Sequence, residues 1–334
     1  MNIALSNIAW LEPFVKVAKG ENVAQNVQLI TKTIGIPLVG ILVFLMLWSA
    51  AANSIDTSLG KFPGPAQVLE QSKNLLAEHF AERERAEAFY ERQEERNAQR
   101  VKDDPTYVPK IRDYTGKNTY IDQIGTSLVT VLSGFLLASI LAIPLGIVIG
   151  LSANLHAAFN PVIQIFKPVS PLAWLPLVTM VVSALYVTDD PVVPKSFITS
   201  VVTVMLCCLW PTVINTAFGV ATIPKDLVNV SQVLRLNWIT HVRKIAIPAS
   251  IPMVFTGLRL SLSIAWMVLT AAEMLAQNPG LGKFVWDEFQ NGSSDSLGRI
   301  MVAIITIGLI GFFLDRVMLR IQRSVSWDKS ATLR

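Results

Sequence analysis

Apolar residues in this chain gather into long unbroken runs rather than short alternating stretches. Runs of roughly 20 or more mostly apolar residues recur, each long enough as a helix to cross about 30 Å of hydrocarbon. The pattern predicts spans at 33–52, 121–151, 160–187, 197–220, 250–275 and 297–319. In lipid every backbone N–H and C=O must find a partner within the chain. Helices of this length meet that demand, and the alternation of barrel strands is missing. The expected fold is therefore an all-α integral membrane protein with about six transmembrane helices. The layout that follows is an N-terminal segment 1–32, a first span, and an extracytoplasmic segment 53–120. A five-span core 121–319, interrupted by a cytoplasmic loop 222–249, leads to a tail 320–334.

Composition agrees. The chain is 52% hydrophobic and 16% charged, against about 25% charged in soluble domains. The adjacent Cys207 and Cys208 lie inside an apolar run with no metal-ligand spacing around them, which favours small helix residues over a disulfide or metal site. The scattered His79, His156 and His241 give no metal or catalytic cluster. The basic residues flank spans or sit among acidic ones, so nucleic acid is not an expected partner. Residues 1–32 lack a cleavable signal pattern. Trp10, Leu11, Phe14, Val15 and Val17 beside Lys16 and Lys19 suggest a short helix on the membrane surface or a loose tail.

Basic residues near span ends set orientation. With the N-terminus inside, Lys16, Lys19, Lys32, Lys167, Lys225, Arg235, Arg243, Lys244, Arg316, Arg320, Arg323, Lys329 and Arg334 fall on the inner side. The outer loops after the third and fifth spans hold Lys195, Lys283 and Arg299. Both termini are therefore expected in the cytoplasm. Residues 79–117 carry nine basic and nine acidic residues, and long loops cross largely regardless of charge. Helix propensity is high over 81–100, with Pro105 and Pro109 breaking it. A solvated helix, a partly disordered insert or a docking surface remain open there.

Pro168, Pro171 and Pro176 in FKPVSPLAWLP (166–176) predict a bent or broken third span. Irregular backbone at membrane depth survives only where protein or a water-filled cavity covers it, so a transport pathway or a packing kink fits. Gly146-x-x-x-Gly150 suits close helix packing. Arg259 and Glu273 are charges within the fifth span. About 21 Å separates them along one helix, on nearly one face, so they cannot pair with each other. Interfacial anchors or functional groups are the alternatives. The candidate pathway set is Lys167, Ser170, Trp174, Arg259 and Glu273.

The loop after the fourth span is basic, helical by propensity, and expected to end at Pro248 and Pro252. Here the sequence resembles the permease subunits of binding-protein-dependent ABC importers. Their hallmark is E-A-A, three residues, G, nine residues, I-x-L-P. Counting back from Pro248 gives Ile247 and Ile245 at the apolar positions, Arg235 at the glycine, and Asn229-Val230-Ser231 at E-A-A. The spacing is kept, while the glycine and the acidic residue are replaced. V-L-R-L (233–236), T-G-L-R (256–259), A-A-E-M-L (271–275), G-L-G-K-F-V-W-D (280–287), F-P-G-P-A-Q-V (62–68) and S-P-L-A-W-L-P-L (170–177) resemble the nitrate, sulfonate, taurine and bicarbonate permeases, nitrate most closely.

The resemblance implies a type I ABC importer permease in a bacterial inner membrane. It implies cytoplasmic ATPase subunits, a second permease copy in a homodimer, an extracytoplasmic solute-binding protein, and nitrate or a similar small anion as cargo. Asn229, Val230, Ser231, Leu234, Arg235, Leu236, Trp238 and Pro248 would dock on the ATPase. No G-x-x-x-x-G-K-[ST] motif occurs, so ATP and Mg²⁺ would be used by the partners, with no cofactor bound and no enzymatic site in this chain. An ion-coupled secondary transporter is the alternative. It calls for paired broken helices in repeated halves.

Overall fold

A computed structural model of the chain describes residues 12–57, 60–104, 106–187 and 191–325. Its α-helices, in chain order, are α1 (Glu12–Ala18), α2 (Val23–Ile30), α3 (Ile36–Ser54), α4 (Pro65–Asp103), α5 (Tyr120–Gly150), α6 (Ala153–Phe166) and α7 (Pro171–Leu185). Then follow α8 (Lys195–Ala221), α9 (Lys225–Val233), α10 (Trp238–His241), α11 (Ile247–Ala276), α12 (Leu281–Asn291) and α13 (Ser296–Val325). Asp56–Thr57 (β1) and Gly60–Lys61 (β2) pair antiparallel as a minimal hairpin. The chain divides into two compact units, Met1–Glu70 and Gln71–Arg334.

In the first unit, α2 passes through a π-helical turn (Thr31–Gly35) into α3. The result is one helix over Val23–Ser54, longer than the expected 33–52 and with none of its apolar window buried inside the unit. Phe44, Met46 and Leu47 all stand outward, which suits hydrocarbon on every side. Trp10, Leu11, Lys329 and Arg334 lie outside the described residues.

The second unit holds the helical core. Small residues let α5 and α8 touch backbone to backbone. A Cβ on Gly134 would lie 2.8 Å from Val204, one on Gly146 2.6 Å from Thr216, and one on Gly150 2.8 Å from Val220. The pairings 134–204, 146–216 and 150–220 rise together, so α5 and α8 run parallel. Ala142, Ile149, Ile163, Val213 and Ala217 fill one core at this contact. Parallel neighbours require that the chain between them return to the starting side. α6 and α7 make that return as a pair bent by 98°. The third span is thus a broken one, with 14 and 15 residues on the two sides of the break. Among the described residues, the bent pair counted as one span brings the candidate spans to the expected six.

α11 packs antiparallel on α8: Gly257 faces Thr212, and Gly219 faces Met253. α13 packs antiparallel on α11, with Trp266 Nε1 donating to Ile307 O at 2.9 Å. The fifth span begins earlier than expected. α10, a π-helical turn (Val242–Ala246) and α11 make one run over Trp238–Ala276, and Pro248 and Pro252 do not break it. The Ile247 N–H reaches back five residues to Val242 O. This wide turn absorbs the irregularity that a proline near the helix start imposes. α12, which the hydropathy pattern did not predict, packs against α11, α5 and α13.

The charged insert is an ordered arm. α4 extends through 39 residues, and the chain then folds back along it. Gln93 exchanges two hydrogen bonds with the Arg112 backbone at 3.2 and 2.8 Å, and Asn97 Nδ2 donates to Lys110 O at 3.0 Å. Tyr114 donates its hydroxyl to Glu82 at 2.8 Å. That bond, joined by the Lys117 N–H, holds the Glu82 carboxyl below its ordinary range. The arm is tied to the core by ion pairs of Arg83 with Asp122 and of Glu78 with Arg299. Gln71 Nε2 also donates to Asp295 at 3.0 Å.

The α5–α8 contact makes a prediction. Gly146→Val must displace Thr216 and should cost about 1–3 kcal/mol by overpacking, lowering the thermal midpoint of the purified protein. Gly125→Val, in the same helix but with nothing within 4 Å of the new Cβ, controls for helix propensity. Equal midpoints for the two variants would refute the close contact.

Candidate functional site: the α8–α11 linker and the broken helix

The linker is built by local backbone chemistry. α9 ends in a Schellman turn: Arg235 N–H donates to Gln232 O and Leu236 N–H to Ser231 O, both at 3.0 Å. Arg235 has φ 47°, the left-handed conformation that glycine adopts without cost. Arginine thus holds a left-handed position that favours glycine, at the place where the spacing back from Pro248 expects one. Asn237 Oδ1 accepts the Thr240 N–H at 2.8 Å and caps α10. His241 Nδ1 and Ser231 Oγ lie 2.8 Å apart and staple α10 onto α9.

This folding sorts the expected docking residues. Ser231 is turned inward and 6% exposed, and Leu236 is half-buried. Asn229, Val230, Leu234, Arg235, Trp238 and Pro248 are exposed. Val233 at 80% and Ile239 at 60% are exposed like Leu234 at 63% and Trp238 at 61%, four unburied apolar side chains within seven residues. Sequence spacing missed Val233 and Ile239, although their apolar character beside the turn was a usable signal.

At the break between α6 and α7, Ser170 does the capping. Its Oγ accepts the Leu172 N–H at 3.2 Å, and its carbonyl accepts the Ala173 and Trp174 N–H groups at 3.0 and 3.2 Å. The peptide donors of this turn are thus engaged locally. Lys167 is exposed. Trp174 stacks on Phe166 at 5.8 Å between ring centroids, and Phe166 stacks on Trp210 of α8 at 6.1 Å.

The two span charges have separate partners, as their spacing requires. Arg259 grips Asp315 of α13 through two bonds of 2.5 and 2.9 Å. The pair borders a cavity of about 180 Å³ lined also by Leu262, Ser263, Trp266, Gly311 and Leu314. Glu273 does not snorkel: it is 0% exposed. Its carboxylate accepts Ser127 Oγ–H at 2.8 Å and the Gly282 N–H at 3.0 Å. Ser127 Oγ in turn accepts the Leu281 N–H at 2.8 Å. A carboxylate at the start of α12 satisfies its free N–H groups and complements its dipole. A Cβ on Gly280 would crowd that carboxylate, which would have to shift to make room.

Comparison with known proteins agrees with this architecture. The family described as binding-protein-dependent transport system inner membrane component matches residues 142–327. The nitrate import permease protein NrtB of Synechocystis sp. is 33% identical over 280 residues, 84% of this chain and 85% of that protein. The bicarbonate transport system permease protein CmpB of Synechococcus elongatus is 32% identical over 291 residues, 86% of this chain and 88% of that protein. The inward-facing MetNI methionine ABC transporter shares the fold. It has a TM-score of 0.52 at 14% identity, covering 62% of this chain and 95% of the compared one. The broken-span core, the helical linker and these relatives together make the chain a member of the inner membrane components of binding-protein-dependent ABC importers.

Proposed function

We propose that this permease imports a small planar oxyanion, nitrate first and bicarbonate second, as the membrane subunit of an ATP-driven complex. The relatives named for nitrate and bicarbonate support the cargo class. Cytoplasmic ATPase subunits hydrolyse ATP with Mg²⁺, a solute-binding protein delivers the anion from outside, and a second copy completes the pathway. The complex sits in a bacterial inner membrane with both termini in the cytoplasm.

The observation that carries the coupling role is the apolar set Val233, Leu234, Trp238 and Ile239. It is held on a capped, stapled linker between two spans and left unburied by the fold. A groove on the ATPase covers it, so that closure of the ATPases is delivered as a push on α8 and α11. Lys167 and Trp174 border the route. Ser170 shapes the break. Arg259 clamps α11 to α13, and Glu273 holds α12 in place.

Four sets of variants test these roles. Leu234→Asp with Trp238→Asp removes contacts worth about 1.5–3 kcal/mol each. It should abolish co-purification of the ATPase while the spans still insert. Arg235→Gly keeps the left-handed turn and should weaken ATPase binding by no more than about fivefold, as an exposed ion pair is worth little. Normal ATPase yield and coupled turnover with the double aspartate would sink the coupling role.

Arg259→Gln strands the Asp315 carboxylate within the span, a cost of up to about 3 kcal/mol at the bilayer centre. The yield of assembled complex should fall, and adding Asp315→Asn should restore it. A transport loss that the second change does not rescue would instead put Arg259 in contact with the anion.

For orientation, Ala98 on the exposed side of the arm is the informative position. An Ala98→Cys thiol should react with an impermeant maleimide in intact cells. Reaction only after permeabilisation would invert the topology.

A further inference from the structure

Four of the described tryptophans differ in what their indole N–H finds. Trp48 Nε1 donates to Pro63 O at 3.1 Å, and Trp266 Nε1 donates to Ile307 O at 2.9 Å. The Nε1 atoms of Trp174 and Trp210 are buried and meet no acceptor among the described residues. Both belong to the stack around Phe166, with interplanar angles of 25° and 10°. A buried indole normally finds a hydrogen-bond partner, because an unpaired donor in low dielectric loses the full cost of its desolvation. Two such donors at one three-ring stack are a costly arrangement that stacking alone does not require, since phenylalanine would also stack.

The stack's position gives the donors a use. Trp210 lies fifteen residues from Lys195 and eleven from Ala221 in α8, or about 22 and 16 Å from its ends. That is near mid-depth of the core. Trp174 stands in the first turn of α7, at the place where the third span breaks. The backbone donors of that turn are taken by Ser170, which leaves the indoles as the available neutral donors there. A ring's edge is its positive region, so an anion meets these side chains at the N–H edge. A pathway must also bind its cargo weakly enough to let it go. Two neutral N–H groups suit this better than a guanidinium, and Arg259 is already neutralised by Asp315.

We propose that the indole N–H groups of Trp174 and Trp210 form a neutral two-donor way-station for a planar oxyanion at the broken helix, each donating to a different oxygen as α7 moves against α8. Lys167, one residue beyond Phe166, contributes attraction without holding the ion.

This rests on the anion-importer reading, and the test separates the two. The permease is reconstituted in proteoliposomes with its ATPase subunits and solute-binding protein, and uptake of labelled nitrate and bicarbonate is followed. Trp174→Phe and Trp210→Phe keep the ring and delete the donor. Each should lower the maximal uptake rate by about tenfold, the worth of one hydrogen bond to a charged group. The half-saturating concentration, set by the solute-binding protein, and stimulated ATP hydrolysis should stay near wild type. Phe166→Leu disturbs the stack but keeps both donors, and should change uptake by less than about threefold. Wild-type uptake in both tryptophan variants would overturn the proposal. So would an equal loss in Phe166→Leu, or a parallel loss of ATP hydrolysis, since each marks a packing role. Absence of uptake of either anion by the wild-type complex would refute the importer reading itself.

Discussion

The parallel contact of α5 with α8 is the constraint from which the rest of the core follows. It is close because Gly134, Gly146 and Gly150 carry no side chain where Val204, Thr216 and Val220 stand. In lipid there is no hydrophobic drive between helices, so close packing and interhelical hydrogen bonds must hold them. Once α5 and α8 lie parallel, the chain between them must cross back. The 98° bend between α6 and α7 is how it does so. The exposed backbone at that bend is tolerable only because Ser170 satisfies it.

Polar groups in this core are used in two ways. Thr212 and Ser261 lie 2.7 Å apart, and Ser261 donates to Cys208 O at 2.5 Å; these small groups knit α8 to α11. Arg259 with Asp315, and Glu273 with Ser127 and Gly282, are heavier devices that fasten α13 and α12 to α11. A charge at membrane depth survives when paired or fully hydrogen-bonded. Both charges are accounted for in this way, and neither waits free for a ligand. Among the described residues the two indoles are buried without an acceptor, as the Ser200 and Thr216 hydroxyls of α8 are without a partner, but the indoles sit together at the broken helix, which is why function is sought there.

The linker between α8 and α11 turns on a single left-handed residue. A left-handed residue at 235 lets α9 end and α10 begin at an angle. Glycine would take that conformation freely, but hydrogen bonds from Arg235 and Leu236 and the Asn237 cap sustain it with arginine. The linker then runs without a break through the π turn into α11, so Trp238 stands at the start of one continuous helical run.

Hydropathy by itself determined the membrane class, the helical fold and the approximate places of the spans. The reason is that the bilayer demands long apolar helices whatever their neighbours. The glycine spacing at 146 and 150 and the prolines of 168–176 marked where helices would touch and where one would break. The spacing back from Pro248 located the linker. Tertiary structure decided what depends on partners distant in sequence. Asp315 answers Arg259 from 56 positions away, and Ser127 answers Glu273 from 146. Ser231 turns inward while Val233 faces out. The insert 79–117 became an ordered arm only because the chain returned along α4 to supply its hydrogen bonds. α12 escaped the hydropathy pattern because it is short and amphipathic, and it is anchored by the buried Glu273 carboxylate at its N-terminus. Trp210 reads in sequence as one more apolar residue of a span. That it meets no acceptor among the described residues emerges only when α6, α7 and α8 are brought together, because an unmet hydrogen bond is a property of surroundings and not of a residue.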